Sequence, residues 1–277
     1  MAESVKRVLF VNSEIEPYLP ENRIAHIGRY LPQGIQEKHK EIRSFMPRYG
    51  CINERKHQLH EVIRLSGMNI IISDVDRPLV IKVASISAAR MQVYFIDNED
   101  YFKRKQIYAD PAGHFFNDNC ERAIFFARGV LETVKKLRWA PDIIHCQGWI
   151  SHVLPVYLKK AYRDDPIFSQ SKIVLSLYGD TPKESFPDDF ASRILFGPLA
   201  AKDLAPLGEH PTGTDLAKLA EHYSDGVILG DDAVGEELIL HAQKLGLPVL
   251  PFNAAAQEDG RYVDQYNEFY DQLLLSK

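Results

Sequence analysis

Residues 143–155, IIHCQGWISHVLP, carry the pattern that decides the fold of this chain. The segment opens with apolar residues typical of a buried strand, and its second half continues as an apolar helix. His145, Gln147 and Ser151 place polar side chains at the join between the two. Open α/β sheets bind ligands just outside the carboxyl ends of their strands, so this join is a candidate functional site. The segment therefore predicts an α/β fold with a polar edge.

Similar strand and helix patterns alternate along the rest of the chain. Apolar strand candidates lie near 5–11, 42–46, 142–146, 172–177, 226–229 and 248–251. The clearest helical pattern spans residues 118–137, where Asp118 is placed to cap the first turn. Strands that alternate with helices form parallel sheets with right-handed crossovers and helices on both faces. The predicted fold class is α/β, a single Rossmann-like, doubly wound and mostly parallel sheet.

Three segments depart from this alternation. Residues 59–97 are nearly all strand-like and predict an antiparallel β excursion, inserted into the parallel sheet or added at its edge. Residues 179–215 are rich in Gly, Pro and Asp and predict a long surface crossover with short helices. Residues 261–275 place aromatic and apolar side chains on one side of a terminal helix, which we expect to dock on the domain. Without a convincing linker, one domain over 1–277 is expected.

Composition excludes several classes of protein. The chain is 45% hydrophobic and 26% charged, with a formal net charge of −5, which is ordinary for a globular domain and argues against a nucleic-acid partner. No apolar run approaches the roughly 18 residues of a membrane span, and the N-terminus lacks the features of a signal peptide. Three cysteines without a CxxC spacing indicate a reducing compartment. We therefore expect a cytoplasmic protein that does not engage a membrane.

Generic catalytic motifs do not account for the chain. No G-x-G-x-x-G follows the first strand and no P-loop occurs, so the two common phosphate cradles are absent. His57 and His60 lack a third ligand nearby in sequence, which favours a surface loop over a metal site. Cys146 beside His145 is better explained as a buried structural cysteine, and Ser151 lacks the glycines of a nucleophile elbow. We expect neither a metal nor a cofactor.

Four stretches, in the same order, resemble motifs of the bacterial glycogen synthases and plant starch synthases. They are SEIEP (13–17), YADPAGHFFNDNCERAIFFARGVLE (108–132), PDIIHCQGWISHVLPVYLK (141–159) and HYSDGVILGDDAVGEEL (222–238). These families are two-domain GT-B glycosyltransferases, retaining enzymes that extend an α-1,4-glucan from ADP-glucose. The resemblance covers most of the chain in patches, and it implies one lobe of a GT-B fold.

The chain departs from the family at positions that the resemblance implies are functional. Where the family has K-x-G-G-L after its first strand, this chain has PENRI at 20–24, which loses both glycines and the lysine. Proline removes an N–H and glutamate adds negative charge, so a pyrophosphate is disfavoured there. In the family's H-x-H-D-W, the second histidine and the aspartate are replaced by Gln147 and Gly148. The next strand ends in Tyr178 instead of the family's asparagine.

By resemblance, a small set of positions remains of interest. The remnants of catalytic positions are Asp118, His145 and Gln147, and none of them is assigned as catalytic. The candidates for ligand binding are Glu14, Asn22, Arg23, Asn119, Arg122 and Tyr178. Three residues that match the family's motifs also have structural interpretations: Asp118 as a helix cap, His145 as a buried hydrogen-bonded residue and Trp149 as a packing residue. The family's second domain has no counterpart after PVLPFN (248–253), so we expect the helix at 261–275 to pack directly on this domain.

The sequence leaves three functions open. The first is a pseudoenzyme, a degenerate glycogen/starch-synthase N-domain that binds an α-glucan or pairs with an active synthase chain. The second is an active ADP-glucose-dependent α-1,4-glucosyltransferase completed by a second chain, in which Arg23 replaces the missing lysine. The third is a protein-interaction module without a sugar ligand. An open pocket around 12–23, Gln147 and Tyr178 would favour catalysis, and occlusion by Tyr178 or by the 179–215 segment would argue against it.

Overall fold

The protein is described by a computed structural model that covers residues 6–275. The strands are β1 Arg7–Asn12, β2 Glu41–Pro47, β3 His60–Glu61, β4 Met68–Ile72, β5 Val75–Ile86, β6 Met91–Asp97, β7 Ile143–Gln147, β8 Lys172–Leu177, β9 Gly226–Leu229 and β10 Val249–Leu250. The helices are α1 Arg23–Glu37, α2 Glu54–His57, α3 Glu99–Phe102, α4 Asn119–Leu137, α5 Leu154–Val156, α6 Phe190–Ile194, α7 Gly213–His222, α8 Glu236–Lys244, α9 Ala254–Glu258 and α10 Tyr262–Leu275. A short 3₁₀ helix, Trp149–Ser151, follows β7 directly, and a π-helical turn, Tyr157–Ala161, continues α5.

The strands form one mixed sheet in the order β10-β9-β8-β7-β1-β2-β6-β5-β3, with β4 paired to β5. Neighbours from β10 to β6 pair in parallel, while β5 pairs antiparallel with β6, β4 and β3. The carboxyl ends of β1, β7 and β8 therefore lie side by side at one edge, because parallel neighbours share a direction. That edge is where the candidate site must be sought.

Alternation along the central strands divides the core between two faces of the sheet. In β1, Leu9 and Val11 pack into the larger cluster with α4, whereas Val8 and Phe10 pack into a smaller cluster with α1 and α10. The even-numbered residues of β7, such as Cys146, face α4, whereas His145 faces the opposite side of the sheet. Both faces are covered by helices, as a parallel sheet requires.

Helix α10 docks on the sheet through close contacts with small residues. A Cβ on Gly34 of α1 would lie 2.6 Å from Val263 Cγ1, and one on Gly226 of β9 would lie 2.9 Å from Phe269 Cζ. Lys40 Nζ donates to Asp271 Oδ1 at 2.9 Å, so the helix is also tied to the start of β2. The terminal helix thus supplies much of the apolar surface of one face.

The predicted fold class is confirmed, including the mostly parallel sheet, the antiparallel strands between 60 and 97 and the terminal helix. Val5, which the first predicted strand includes, lies outside the described residues. Asp118 is the N-cap residue of α4 as predicted, but its carboxylate makes no capping hydrogen bond and is paired with Arg104 instead. In the described part of the chain, no helix is both long and apolar enough to cross a membrane.

Candidate functional site

Three side chains from adjacent strand ends form a linear hydrogen-bonded chain at the carboxyl edge of the sheet. Gln147 Nε2, at the end of β7, donates to Asn12 Oδ1 at 2.7 Å, and Tyr178 Oη, just after β8, donates to Gln147 Oε1 at 2.9 Å. Asn12 and Gln147 have no exposed surface and Tyr178 retains 2%. The sequence brings these residues together as expected, but they fill the crevice instead of lining an open one.

The ring of Tyr178 is held in place by a glycine. A Cβ on Gly230 would lie 2.2 Å from Tyr178 Cε1, so the ring packs directly on the backbone that follows β9. Burial raises the pKa of the Tyr178 hydroxyl well above its ordinary value, which keeps it a neutral donor. Tyr178 therefore fills the space beside Gln147 at the end of β8, and its edge borders a cavity of about 220 Å³ on the side of Thr181 and Leu238.

Gly148, in the place of the family's aspartate, occupies a position that no other residue fits. Its φ is 81°, and a Cβ there would lie 2.0 Å from Ser13 Oγ and 3.4 Å from Asp180 Oδ2. Asp180 Oδ2 accepts a hydrogen bond from Trp149 N at 2.9 Å, at the start of the 3₁₀ helix. Burial, together with the nearby charges of Glu14 and Asp231, raises the pKa of Asp180 to about 7.

His145 lies behind this edge and serves the packing of α10. Its Nε2 lies 2.6 Å from Ser176 Oγ, and its Nδ1 lies 2.7 Å from the hydroxyl of Tyr270. Burial without an ionic partner lowers the pKa of His145 to about 3, so the imidazole is neutral and can donate at one nitrogen and accept at the other. It has no exposed surface, which makes it a link between β7, β8 and α10.

The loop between β1 and α1 holds Glu14, Asn22 and Arg23. Asn22 caps α1 by accepting from Ala25 N at 2.9 Å, and its amide donates to Glu14 Oε2 at 2.5 Å. Burial raises the pKa of Glu14. Arg23 lies over the ring of Phe252 with its Cζ 4.8 Å from the centroid. Asn22, Arg23 and Phe252 border an open cavity of about 550 Å³.

Asn119 and Arg122, near the start of α4, bond to the loop before that helix. Asn119 Nδ2 donates to Tyr108 O at 2.8 Å, and Arg122 Nη1 donates to Ile107 O at 2.6 Å and to Asn119 Oδ1 at 2.5 Å. Asn119 has no exposed surface and Arg122 has 1%. The structure thus places both in the support of the 107–118 loop and does not bring them to the edge at Gln147.

A larger cleft opens beside the edge, between the 113–118 loop and the 184–187 segment. Its volume is about 860 Å³. The aromatic residues of its wall are Phe115, Phe116 and Phe186, and its polar residues include His114, Asn117, Asp118, Glu184 and Arg193. The rings of Phe115 and Phe186 each lie 5.8 Å from that of Trp149, which follows β7. Phe186 is buried, so the half-buried rings of Phe115 and Phe116 are the ones that a sugar ring can contact, while the charged groups at the mouth can bind its hydroxyls.

Most of the residues that line this cleft were not predicted from the sequence. Phe115 and Phe116 stand inside one of the quoted motifs, where a pair of aromatic residues in a loop was the available signal. Phe186, Glu184 and Arg193 come from the 179–215 crossover, whose lack of periodicity gives no indication of which side chains face the edge. The contact between these two segments depends on tertiary packing alone.

The mixed sheet, with helices on both faces and polar residues at the carboxyl edge, defines a Rossmann-like α/β domain of the kind that forms one lobe of GT-B glycosyltransferases. Residues 7–248 match the family described as the starch synthase catalytic domain, and the chain belongs to that family. The resemblance to glycogen and starch synthases is therefore confirmed.

Relatives and a solved structure agree with this assignment. The chain is 40% identical over 179 residues to a glycogen synthase of Chlorobium limicola, covering 64% of this chain and 37% of that protein. It is 38% identical over 260 residues to a glycogen synthase of Chlorobium phaeobacteroides, covering 89% of this chain and 52% of that protein. The catalytic domain of starch synthase IV from Arabidopsis thaliana, bound to ADP and acarbose, has the same fold, with a TM-score of 0.69 and 17% identity over 92% of this chain and 53% of that one.

The chain spans about half the length, or less, of the curated relatives it matches. Membership of the family rests on the part that is shared.

Proposed function

We propose that this glycogen/starch synthase-type domain binds an α-glucan and does not itself transfer glucose from ADP-glucose. The observation that carries the proposal is the buried chain Asn12–Gln147–Tyr178. By resemblance, Gln147 stands where the family's histidine contacts the transferring sugar. With the amide bonded on both sides and no surface exposed, the corner has no room for a sugar ring.

The loop after β1 supports the same conclusion on electrostatic grounds. Glucosyl transfer needs preorganised positive charge and hydrogen-bond donors at the leaving diphosphate. Here Arg23 shares its cavity with Glu21 and Glu258, and its guanidinium lies over Phe252. Two carboxylates beside one guanidinium disfavour a pyrophosphate, which carries negative charge of its own.

The open cleft at Phe115 and Phe186 supports binding of a glucan. Glucose units offer apolar C–H faces and many hydroxyls, and the cleft combines phenyl rings with Glu184, Arg193 and His114 at its mouth. The structurally similar starch synthase IV was solved with ADP and acarbose. A domain that keeps the glucan cleft and closes the transfer corner would bind the polymer without elongating it.

Two alternatives make different predictions. If a second chain completes an active glucosyltransferase, Arg23 must bind the donor phosphates, and adding an extract that contains synthases would produce Arg23-dependent transfer. If the domain is an interaction module only, neither maltooligosaccharides nor glycogen would bind. A partnership with an active synthase chain is compatible with glucan binding and would appear as glycogen-independent association of the two proteins.

The proposal is tested by sedimentation of the purified chain with glycogen and by affinity electrophoresis in amylopectin gels. We expect binding that the double variant His114→Ala/Glu184→Ala weakens severalfold, because both side chains are exposed at the mouth of the cleft. Glu268→Ala, an exposed carboxylate on α10, is the matched control and should bind as the parent does. Absence of binding by the parent chain would contradict the proposal, as would equal binding by the double variant.

A further inference from the structure

The loop that links β1 to α1 brings two carboxylates and an imidazole together. Glu16 lies in the loop, Glu21 just before the helix, and His26 in its first turn. Each offers one ligand atom, and these three atoms all lie within 4.8 Å of one another. The group was not predicted from the sequence. Its three members follow one another at intervals of five residues, across a loop and the start of a helix, and this spacing matches no common metal motif.

The separation between Glu16 and His26 suits two ligands of one ion better than a direct contact. Glu16 Oε1 lies 3.7 Å from His26 Nδ1, which is too long for a hydrogen bond. When a nitrogen and an oxygen ligand bind one zinc ion at the usual distances, and the angle between them is tetrahedral to trigonal, the two atoms are about 3.3–3.6 Å apart. A small closing movement of either side chain would bring both atoms onto a single ion.

Burial gives a second, independent indication. Glu16 Oε1 is shielded from solvent, and it accepts no hydrogen bond within residues 6–275. The side chain as a whole is 17% exposed. A buried carboxylate oxygen without a donor is costly, since it has lost water and gained no partner, and a cation would remove that cost.

The surroundings hold the ligands in position and leave one side open. Glu16 N donates to Ala25 O at 3.1 Å, which fixes the loop against the first turn of α1. The imidazole of His26 packs on the ring of Tyr30, with 4.4 Å between centroids. Glu21 and His26 both line the cavity of about 550 Å³, from which an ion and its waters can enter.

We propose that Glu16, Glu21 and His26 form a binding site for a divalent cation of the zinc class. One imidazole nitrogen with two carboxylate oxygens is a donor set that zinc accepts, whereas calcium and magnesium take oxygen ligands almost alone. Three protein ligands leave a fourth position for water on the cavity side. This site differs from the sequence-based expectation of no metal, and it does not depend on glucan binding.

Isothermal titration calorimetry with ZnCl₂ tests the site, using the full chain without a histidine tag after treatment with a chelator. We expect one zinc ion per chain, with no comparable binding of Mg²⁺ or Ca²⁺. Glu21→Gln and His26→Gln should each weaken zinc binding by about tenfold or more, because each removes one ligand. Glu21 is exposed, so its substitution leaves the fold intact and a loss of affinity reports the ligand alone.

His210→Gln is the matched control, since His210 is an exposed histidine beside a carboxylate, Asp188. We expect it to leave zinc affinity unchanged. The site is refuted if the parent chain binds no zinc, or if Glu21→Gln and His26→Gln bind zinc as the parent does. X-ray absorption of the zinc complex should show nitrogen and oxygen neighbours with a single imidazole, and a sulfur neighbour or several imidazoles would equally refute it.

Discussion

Gln147 donates its side-chain amide to Asn12 Oδ1 at 2.7 Å, across the join between two neighbouring parallel strands. Both residues are fully buried, and Tyr178 completes the bonding of the glutamine from the other side. By resemblance, Gln147 stands where the family has a histidine that contacts the transferring sugar, and here its amide is part of a buried hydrogen-bond chain. The stability of this edge and the proposed loss of transfer should have the same origin, and this can be tested residue by residue.

Tyr178→Phe should lower the free energy of unfolding by about 1–3 kcal/mol, because it leaves the buried Gln147 Oε1 without its donor. Urea denaturation followed by circular dichroism measures the change. Tyr30→Phe removes a hydroxyl from a tyrosine that is 43% exposed and should change stability very little. Equal stability of Tyr178→Phe and the parent would show that the bond contributes nothing.

Gly148→Ala should cost at least about 2 kcal/mol of stability, since φ is 81° and the new methyl group would collide with Ser13 Oγ. Gly113→Ala is a matched control: its φ is 87°, but a Cβ there meets nothing within 4 Å. Thermal and urea denaturation give the loss of unfolding free energy for each variant. The loss in Gly113→Ala reports the strain of a positive φ, and the additional loss in Gly148→Ala reports the collision with Ser13. If the two substitutions cost the same, the packing against Ser13 is unimportant.

Tyr270→Phe should destabilise the protein by about 1–3 kcal/mol, because the buried His145 Nδ1 loses its partner at 2.7 Å. Hydrogen exchange should increase in α10, which this bond ties to β7. Tyr262→Phe, on the same helix, provides the control, since the Tyr262 hydroxyl makes no hydrogen bond to the described residues. A larger effect for Tyr262→Phe than for Tyr270→Phe would contradict the proposed role of His145.

His152→Leu should reduce the acid sensitivity of the fold. Burial lowers the pKa of His152 to about 3, and neither ring nitrogen is hydrogen-bonded in the described part of the chain. The unfolded histidine binds a proton near its ordinary pKa of about 6.5, so the stability that His152 contributes above that pH is lost as the pH falls. The loss should reach about 2 kcal/mol at a pH of roughly 5.

Urea denaturation at several pH values between neutrality and mild acid measures this loss, which should be about 2 kcal/mol smaller in His152→Leu. Asp180 and Glu221, whose pKa values burial raises to about 7 and about 8, titrate in the opposite sense and are common to both proteins. An exposed histidine, His222, provides the control as His222→Gln. An unchanged pH dependence in His152→Leu would mean that folding does not lower the pKa of His152.

The sequence predicted the architecture well because the signals that define it are local. Apolar alternation and length located the parallel strands, and the apolar stripe of α4 was recovered nearly to its ends. Asp118 takes the predicted N-cap position, but it makes no capping bond because Arg104 competes successfully for its carboxylate. Capping preference is worth about 1 kcal/mol, and a bidentate guanidinium contact can exceed it.

The site was less predictable because it depends on contacts distant in sequence. The strand ends indicated that Asn12, Gln147 and Tyr178 would meet, but not whether they would surround a pocket or fill it. That outcome depends on side-chain rotamers and on Gly230, which admits the ring of Tyr178. Likewise, no periodic pattern in the 179–215 segment indicated that Phe186 would face Phe115.

Glucan binding without glucosyl transfer can be measured in one experiment by incubating the purified chain with glycogen and radiolabelled ADP-glucose. A two-domain glycogen synthase run in parallel establishes that the assay detects transfer. We expect the chain to sediment with the glycogen and to add no label above the protein-free blank. Steady incorporation of glucose by the purified chain alone would contradict it.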